Sequence, residues 1–309
     1  MRQKLGIVGA GAVGTAAAHW AAAKGIAQEI VLVDIVPGLA KGKALDIAQS
    51  APVYGFSTRL AGTEDWAALE GAGVVIITAG RPRKPGMSRD DLLQVNLEIV
   101  KSCVEKIVKY APEACLIVVT NPIDAMVYTA FRVSGFPRER VIGMAGVLDS
   151  ARYRYFLAEA LGVSPKDVQA LVMGIHGDHM LPLVRLANVA GIPVKDLLPA
   201  EKLAEIVDRT RKGGAEIVSY LKTGSAFTTP GLAAVEMAES IMRDQKRVLT
   251  CSVWLTGEFG FKDVFIGVPV VLGAGGVERI LEFPLTEDEK EALSLSVEAV
   301  RRQIEKTGL

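Results

Sequence analysis

Residues 5–34 read LGIVGAGAVGTAAAHWAAAKGIAQEIVLVD, and this stretch decides the fold. Its first apolar run, residues 5–10, is short and ends in glycine, which predicts a buried strand. The alanine-rich run at residues 15–24 predicts a helix that stops at Gly25, since glycine readily closes a helix. A second apolar run, residues 30–34, predicts another strand. Strand, helix and strand in this order predict two parallel strands joined by a crossover helix.

The alternation of strand-like and helix-like runs continues to about residue 146. The further strand candidates are short and continuously apolar, which is typical of strands buried on both faces. Helical runs, such as residues 38–49, separate them. The candidates are residues 57–62, 74–80, 116–121 and 141–146. The pattern predicts a doubly wound parallel sheet, the Rossmann arrangement, with helices on both faces.

The pattern changes after residue 146, where helical stretches lengthen and the strand candidates suggest an antiparallel set. The helical stretches are residues 149–161, 199–221 and 232–243, and the strand candidates are VQALVMG, RVLTCSVWL and VFIGVPVVLG. A terminal helix begins at a capping-box pattern, Thr286 with Glu289. We therefore predict an α/β chain of two domains, a cofactor-binding domain at residues 1–145 and an α+β substrate and catalytic domain at residues 146–309.

Charge balance and cysteine content limit the classes of partner and compartment. Lys plus Arg number 35 and Asp plus Glu number 35, so neither nucleic acid nor an anionic membrane is expected as a partner. The cysteines, Cys103, Cys115 and Cys251, form no CxxC pair and are expected to be buried thiols in a reducing compartment. The apolar N-terminal run contains four glycines before Lys24, which argues against a signal peptide or membrane span. We expect a cytoplasmic chain.

A glycine motif joins the first predicted strand to the first predicted helix. Gly9-Ala10-Gly11-Ala12-Val13-Gly14 matches GxGxxG, whose glycines permit a tight turn, close approach to a pyrophosphate and close packing of helix on strand. Asp34 ends the next strand, where a carboxylate can bind ribose hydroxyls and repel a 2′-phosphate. The motif predicts NAD as the cofactor. The alternative for this motif is a glycine-rich turn in a domain that binds no cofactor. We interpret a second glycine cluster, residues 273–276, as a turn.

Five motifs occur in a fixed order along nearly the whole chain. They are GxGxxG with Asp34, AGRPRKPGMSRDDL at residues 79–92, VTNP at 119–122, LDSARYR at 148–154 and HGD at 176–178. In these motifs the chain resembles the lactate and malate dehydrogenase superfamily, most closely the lactate-dehydrogenase-like malate dehydrogenases of bacteria and archaea. The resemblance implies NAD-dependent interconversion of a 2-hydroxy acid and a 2-oxo acid, with the dicarboxylates malate and oxaloacetate as substrates.

The resemblance assigns the proton-transfer step to His176 and Asp149. Removal of a hydroxyl proton at neutral pH favours a histidine as the base, and this expectation agrees with the assignment. A carboxylate such as Asp149 would hold the imidazole in one tautomer and stabilise the imidazolium. The alternative for Asp149 is a helix N-cap, because it stands where a helix could begin.

The resemblance also implies a set of residues that bind substrate and cofactor. Arg152 would grip the C1 carboxylate of the substrate, Arg89 would polarise its carbonyl, and Arg83 would select the second carboxylate, since lactate-specific members carry glutamine there. Asn121 would contact both substrate and cofactor, and Asn96 and Val119 would contact the nicotinamide side. The alternative for a basic loop or a helix arginine is a solvated charge. One departure from the family is Ile175, where Gly or Glu is usual.

The second histidine of IHGDHM, His179, raises the alternative of a metal site. Zinc needs three or four protein ligands, and beside His176, Asp178 and His179 only the distant His19 remains among the histidines. We therefore expect no metal, and His179 to be a packing or interface residue. Two other functions stay open: an L-lactate or other 2-hydroxy-acid dehydrogenase, and a non-catalytic NAD-binding sensor. We also expect a homodimer or homotetramer assembled through helices such as GLAKGKALDIAQSA, residues 38–51.

Overall fold

The structure is a computed structural model that describes residues 3–82 and 89–309, except for the side chains of residues 89 and 90. Within these residues the principal sheet has nine strands, which come from both halves of the chain. The N-terminal strands are β1 (Lys4–Val8), β2 (Glu29–Val33), β3 (Arg59–Thr63), β4 (Val74–Ile77), β5 (Cys115–Val118) and β6 (Val141–Gly143). They lie in the order β3-β2-β1-β4-β5-β6 and all pair in parallel. The predicted doubly wound sheet is confirmed.

The helices of the described residues flank this sheet and then form much of the C-terminal half. They are α1 (Ala12–Ala23), α2 (Leu39–Gln49), α3 (Ala51–Tyr54), α4 (Arg89–Tyr110), α5 (Ile123–Ser134), α6 (Gly146–Leu161), α7 (Ala200–Leu221), α8 (Thr228–Met242) and α9 (Glu287–Glu305). The capping box of α9 is confirmed, because Thr286 Oγ1 accepts from Glu289 N and Glu289 Oε2 accepts from Thr286 N. The helices expected at residues 15–24, 38–49, 199–221 and 232–243 correspond to α1, α2, α7 and α8, with ends that differ by up to four residues, whereas α3 and α5 were not predicted.

Alternate side chains of the parallel strands enter two separate cores. Leu5 and Ile7 of β1 pack in one core, while Val8 packs in the other. Since both faces are covered, the central strands β4 (VVII) and β5 (CLIV) are apolar and buried at every position rather than at every second one. The described part of the chain contains no helix that combines the length and apolarity needed to cross a bilayer.

The C-terminal half adds three antiparallel strands to the same sheet. These are β12 (Arg247–Thr256), β13 (Lys262–Gly273) and β14 (Gly276–Ile280), and the pair Ser252–Gly143 joins β12 to β6. The short strands β7 (Val168–Gln169), β8 (Val172–Met173), β9 (Leu181–Pro182), β10 (Asn188–Val189) and β11 (Ile192–Pro193) form two small sheets apart from it. The predicted strands RVLTCSVWL and VFIGVPVVLG are confirmed as the antiparallel pair β12 and β13, whereas VQALVMG divides into β7 and β8, which lie in different small sheets. The predicted turn at residues 273–276 joins β13 to β14.

The boundary between the last parallel strand and α6 differs from the sequence-based expectation. The strand expected at residues 141–146 ends at Gly143, and α6 begins at Gly146, three residues before Asp149. A Cβ at Gly146 would lie 2.4 Å from Thr250 Cγ2 and 2.7 Å from the Val172 carbonyl oxygen, so long-range packing sets this turn. Asp149 therefore lies inside the first turn of α6, and the N-cap alternative for it is wrong.

Candidate active site

His176 and Asp149 form a hydrogen-bonded pair at the interface of the two halves. His176 Nδ1 lies 2.8 Å from Asp149 Oδ2, and only 2% of the Asp149 side chain is exposed. Asp149 reaches this place because it lies in the first turn of α6, which starts where β6 has just ended. Burial by itself would lower the pKa of His176, but the Asp149 carboxylate outweighs it, and the pKa lies above the ordinary value. The imidazole is thus oriented and favoured in its protonated form.

Arg152 lies one helical turn beyond Asp149 on α6. Its Nη1 is 3.3 Å from Asp149 Oδ1, so the carboxylate is shared between the guanidinium and the imidazole. Burial lowers the pKa of Arg152, and Asp149 partly offsets this effect. Space for the arginine comes from α7, where a Cβ at Gly213 would lie 3.2 Å from Arg152 Cδ. Arg152 is therefore held against Asp149, where it lines a cavity between α6 and α7, and the alternative of a merely solvated helix arginine does not fit its burial.

Asn121 and Asn96 meet just beyond the carboxyl ends of the central strands. Asn96, on α4, is 1% exposed; its Oδ1 accepts from Arg81 N at 2.7 Å, and its Nδ2 donates to the carbonyl oxygens of Arg81 (3.2 Å) and Asn121 (2.7 Å). Both amide hydrogens of Asn96 are therefore used inside the protein. Any influence of Asn96 on a cofactor would pass through the backbones of Arg81 and Asn121. Val119 directly follows β5 and is buried.

The glycine motif has the geometry that a dinucleotide site requires. Gly9 has φ +101°, a left-handed value at which side chains are strained. A Cβ at Gly14 would lie 1.8 Å from the Gly9 carbonyl oxygen, so only glycine lets α1 approach β1 this closely. A Cβ at Gly11 would meet nothing within 4 Å, which leaves open space at the N-terminus of α1. Backbone N–H groups that face such space are suited to bind a pyrophosphate.

Asp34 lies directly against this glycine turn. Its Oδ2 accepts from Ala10 N at 2.7 Å, and its Oδ1 accepts from Val36 N at 2.9 Å. The two bonds orient the carboxylate and still leave lone pairs for ribose hydroxyls. The glycine turn, the helix terminus and Asp34 together fit the adenosine and pyrophosphate of NAD, the cofactor that the sequence predicts.

A cavity of about 770 Å³ lies against the histidine. Asn121, Ile175 and His176 line one side of it, together with Leu93 from α4. Arg302 and Gln303 of α9, and Lys306 directly after this helix, also line the cavity. The volume suits a small substrate together with part of a cofactor.

Two of the predicted substrate residues cannot be placed. Arg83 and the side chain of Arg89 lie outside the described residues, although α4 itself begins at Arg89. The other predicted site residues fall into two groups, one around His176 with Asp149 and Arg152, and one around the glycine motif with Asp34. Asn121 belongs to the first group, because it lines the same cavity as His176.

The other two histidines lie apart from this pair. His179 is exposed and lines the same cavity as His176, so it does not pack in the interior, and the interface role expected for it stays a prediction. His19 lies on α1 with its ring edge against Trp20, at a centroid distance of 5.5 Å. Within residues 3–82 and 89–309, no group of three or more histidine, cysteine, aspartate or glutamate side chains is arranged to hold a metal ion.

Sequence inspection missed one acidic residue of the site, Asp124. Asp124 lies in the first turn of α5 and is 1% exposed, and its Oδ2 accepts from the backbone N of His176 at 3.1 Å. A carboxylate in the first turn of a helix commonly interacts with the helix dipole. The sequence alone therefore does not indicate that Asp124 has a further role. Asp124 is the one charged residue among residues 123–130, and this isolation could have identified it from the sequence.

Each half of the chain matches a family model of known proteins. A family model for "lactate/malate dehydrogenase, NAD binding domain" matches residues 3–143, and one for "lactate/malate dehydrogenase, alpha/beta C-terminal domain" matches residues 146–308. The chain is 53% identical over 304 residues to the malate dehydrogenase of Roseiflexus sp. (strain RS-1), a match that covers 98% of each.

Solved structures with the same fold include both malate and lactate enzymes. The malate dehydrogenase of Picrophilus torridus in its apo form is 48% identical, with a TM-score of 0.96 and coverage of 100% of this chain and 98% of the other. The lactate dehydrogenase of Cryptosporidium parvum, complexed with lactic acid and NAD, is 40% identical, with the same TM-score and the same coverage. The backbone is therefore common to both activities, and side chains must separate them.

Proposed function

Since this chain belongs to the lactate/malate dehydrogenase family, we propose that it oxidises (S)-malate to oxaloacetate with NAD and catalyses the reverse reduction. The observation that carries the proposal is the hydrogen-bonded pair of His176 and Asp149 beside a cavity that fits a small acid. Such a pair is the arrangement that moves a proton to and from a substrate hydroxyl. A sensor that only binds NAD would need the glycine motif and Asp34 but not this pair.

The proton step follows from the orientation of the imidazole. Because His176 Nδ1 faces Asp149, Nε2 is the nitrogen that takes the hydroxyl proton of malate. Asp149 then stabilises the imidazolium that forms. When bound, NAD supplies the acceptor for the hydride that leaves the same carbon. The raised pKa of His176 keeps the imidazolium available at neutral pH, which is the form that oxaloacetate reduction requires.

Substrate binding is assigned to three arginines. Arg152 lies beside Asp149 on α6 and would hold the C1 carboxylate with its planar guanidinium. By family resemblance, Arg83 would pair with the second carboxylate and Arg89 would polarise the carbonyl, while Asn121 would contact both substrate and cofactor. Val119 and Asn96 would support the nicotinamide side. Arg83 is the residue that separates malate from lactate in this scheme.

A turnover assay tests the proposal directly. The purified chain is supplied with NADH and either oxaloacetate or pyruvate, and NADH oxidation is followed. We expect kcat/KM for oxaloacetate to exceed that for pyruvate by at least about a hundredfold, the size expected for a charge pair present with only one substrate. Preference for pyruvate would support the lactate alternative. Binding of NADH without turnover of either substrate would support the sensor alternative.

We further propose that the chain acts in the cytoplasm and that it forms a homodimer or homotetramer. We also propose that its two domains comprise residues 1–145 and 146–309. Exposed apolar side chains on and near α2 support the assembly, since Leu45 is 60% exposed, Val53 91% and Tyr54 59%. The three cysteines are buried, which suits a reducing compartment. Light scattering coupled to size exclusion measures the subunit number, and a monomer at micromolar concentration would contradict the assembly.

A further inference from the structure

The segment that carries His176 is held from three sides by hydrogen bonds to its backbone. Gly174 exchanges two backbone hydrogen bonds with Gly267 of β13, at 2.9 and 3.1 Å. The next amide, Ile175 N, donates to Ser296 Oγ of α9 at 2.6 Å. The amide of His176 itself donates to Asp124 Oδ2 of α5 at 3.1 Å. Of these partners, only Asp124 carries a charge.

Asp124 is buried and has a second partner, on β12. Ser252 Oγ donates to Asp124 Oδ1 at 2.8 Å, and Ser252 is 0% exposed. Both partners of the carboxylate are therefore neutral donors, a backbone N–H and a hydroxyl. A carboxylate is costly to bury without an opposite charge. An asparagine has the same shape and could bond both partners, so the structural connection alone does not account for a negative charge here.

We propose that Asp124 is a positioning residue for the proposed reaction, fixing the backbone of His176 and adding a second negative charge that favours the imidazolium. The inference rests on the proposed function, because the imidazolium matters only if His176 exchanges a proton with substrate. Asp149 orients the ring and bears most of the charge interaction, while Asp124 acts from the backbone side.

The charges around His176 allow the sign of the effect to be stated. Asp149 and Asp124 raise the pKa of His176, whereas burial and Arg152 lower it. Burial raises the pKa of Asp124 itself to about 6, against the hydrogen bonds from Ser252 and His176, so the carboxylate is mostly ionised at pH 7. Removing its charge therefore lowers the pKa of His176. The remaining ionisable groups that line the cavity are Asp178, His179, Arg302, Glu305 and Lys306.

The principal test compares Asp124→Asn with Ser296→Ala. Each substitution alters one hydrogen bond to neighbouring amides of the same segment, but only the first removes a charge. For Asp124→Asn we expect kcat for oxaloacetate reduction at pH 7 to fall roughly tenfold, about the value of a hydrogen bond to a charged group. The pH at which kcat/KM for reduction falls to half should move lower, because the imidazolium is lost earlier. NADH affinity should stay near that of the wild type.

Ser296→Ala is the matched control for loosened packing. It should lower kcat somewhat and leave the midpoint of the pH profile at the wild-type value, because no charge changes. A shift of the midpoint equal to that of Asp124→Asn would show that loosened packing alone moves it, and would overturn the proposal. An unchanged midpoint in Asp124→Asn would overturn it as well.

A second variant covers the case in which Asp124→Asn does not fold. Ser252→Ala removes the hydroxyl that stabilises the ionised carboxylate, so Asp124 is charged over a narrower pH range. The midpoint should move in the same direction by a smaller amount, and no movement would contradict the proposal. The His176 imidazole is also titrated by NMR, with His176→Asn used to assign its signal. This readout needs no turnover, so failure of the proposed function and failure of this inference are distinguishable.

Discussion

Proton transfer in the proposed reaction depends on one imidazole. His176 is paired with Asp149, whereas His179 lies three positions on and is exposed. We expect His176→Asn to lower kcat by roughly two to four orders of magnitude, the range for losing a positioned acid–base group. NADH binding should stay near normal, because the glycine motif is untouched. His179→Asn, the control, should have a mild effect. Equal loss of kcat in both variants, or inactivation of the wild type by chelators, would contradict the one-histidine mechanism.

Discrimination between malate and lactate is assigned to Arg83. The second carboxylate of oxaloacetate loses water in the site, and pairing with an arginine offsets that cost, whereas pyruvate would leave the arginine unpaired. One partner of a buried charge pair is worth about 3–5 kcal/mol, or roughly two to four orders of magnitude in kcat/KM. We expect Arg83→Gln to lose most oxaloacetate activity and to gain some pyruvate activity. Steady-state kinetics with both substrates measure this, and an unchanged ratio would mean that Arg83 does not contact the second carboxylate.

Cofactor choice is assigned to Asp34. Its carboxylate lies against Ala10 N at the glycine turn, so it would face the adenosine ribose and repel a 2′-phosphate. We expect the wild type to prefer NAD and Asp34→Ser to narrow that preference, because a serine keeps a hydrogen-bonding group and loses the charge. The ratio of kcat/KM with NADH and NADPH, measured for both proteins, checks this. Equal use of the two cofactors by the wild type would place Asp34 away from the ribose.

At the scale of an element, α9 shows how a local end signal supports the site. Its capping box pairs Thr286 with Glu289, and Ser296, further along the same helix, bonds the amide next to His176. We expect Thr286→Ala to cost about 1 kcal/mol of unfolding free energy, the usual value of an N-cap. Urea unfolding measures the change. Glu291→Ala, on an exposed position of α9, is the control and should stay within about 0.5 kcal/mol of the wild type. Equal effects of the two variants would show that the cap does not matter.

At the scale of the whole molecule, the C-terminal half packs directly on the cofactor helix. A Cβ at Gly231 of α8 would lie 2.9 Å from Ala17 N and 3.1 Å from the Val13 carbonyl oxygen of α1. Backbone atoms cannot move aside as a flexible side chain can. Gly231→Ala should therefore cost about 1–3 kcal/mol of stability and weaken NADH binding, because α1 carries the glycine motif.

Urea unfolding and NADH titration check the Gly231→Ala prediction. Gly275→Ala is the control, since a Cβ there would meet nothing within 4 Å. It should change neither stability nor NADH affinity appreciably. A Gly231→Ala protein with wild-type stability and NADH affinity would contradict the prediction, because it would show that α1 and α8 can move apart without loss of unfolding free energy.

The sequence by itself determined the elements whose causes are local. The alternation of apolar strands and helices, the glycine motif with Asp34, and the capping box of α9 all depend on residues close together in the chain, and the structure contains each of them. His176 and Asp149 were identified only through family motifs, because 27 residues separate them and no periodicity links their positions.

Only the tertiary structure decided which distant residues surround the histidine. Asp124 is 52 residues from His176 and 128 from Ser252, and Ser296 is 121 residues from Ile175. Likewise, the single pair of Ser252 with Gly143 makes one sheet of two halves whose strand patterns differ. The pattern of apolar and polar residues along the sequence predicts whether a position is buried, but not which residue it contacts. That choice follows from the packing of whole elements, and through it α5, β12 and α9 converge on the segment that carries His176.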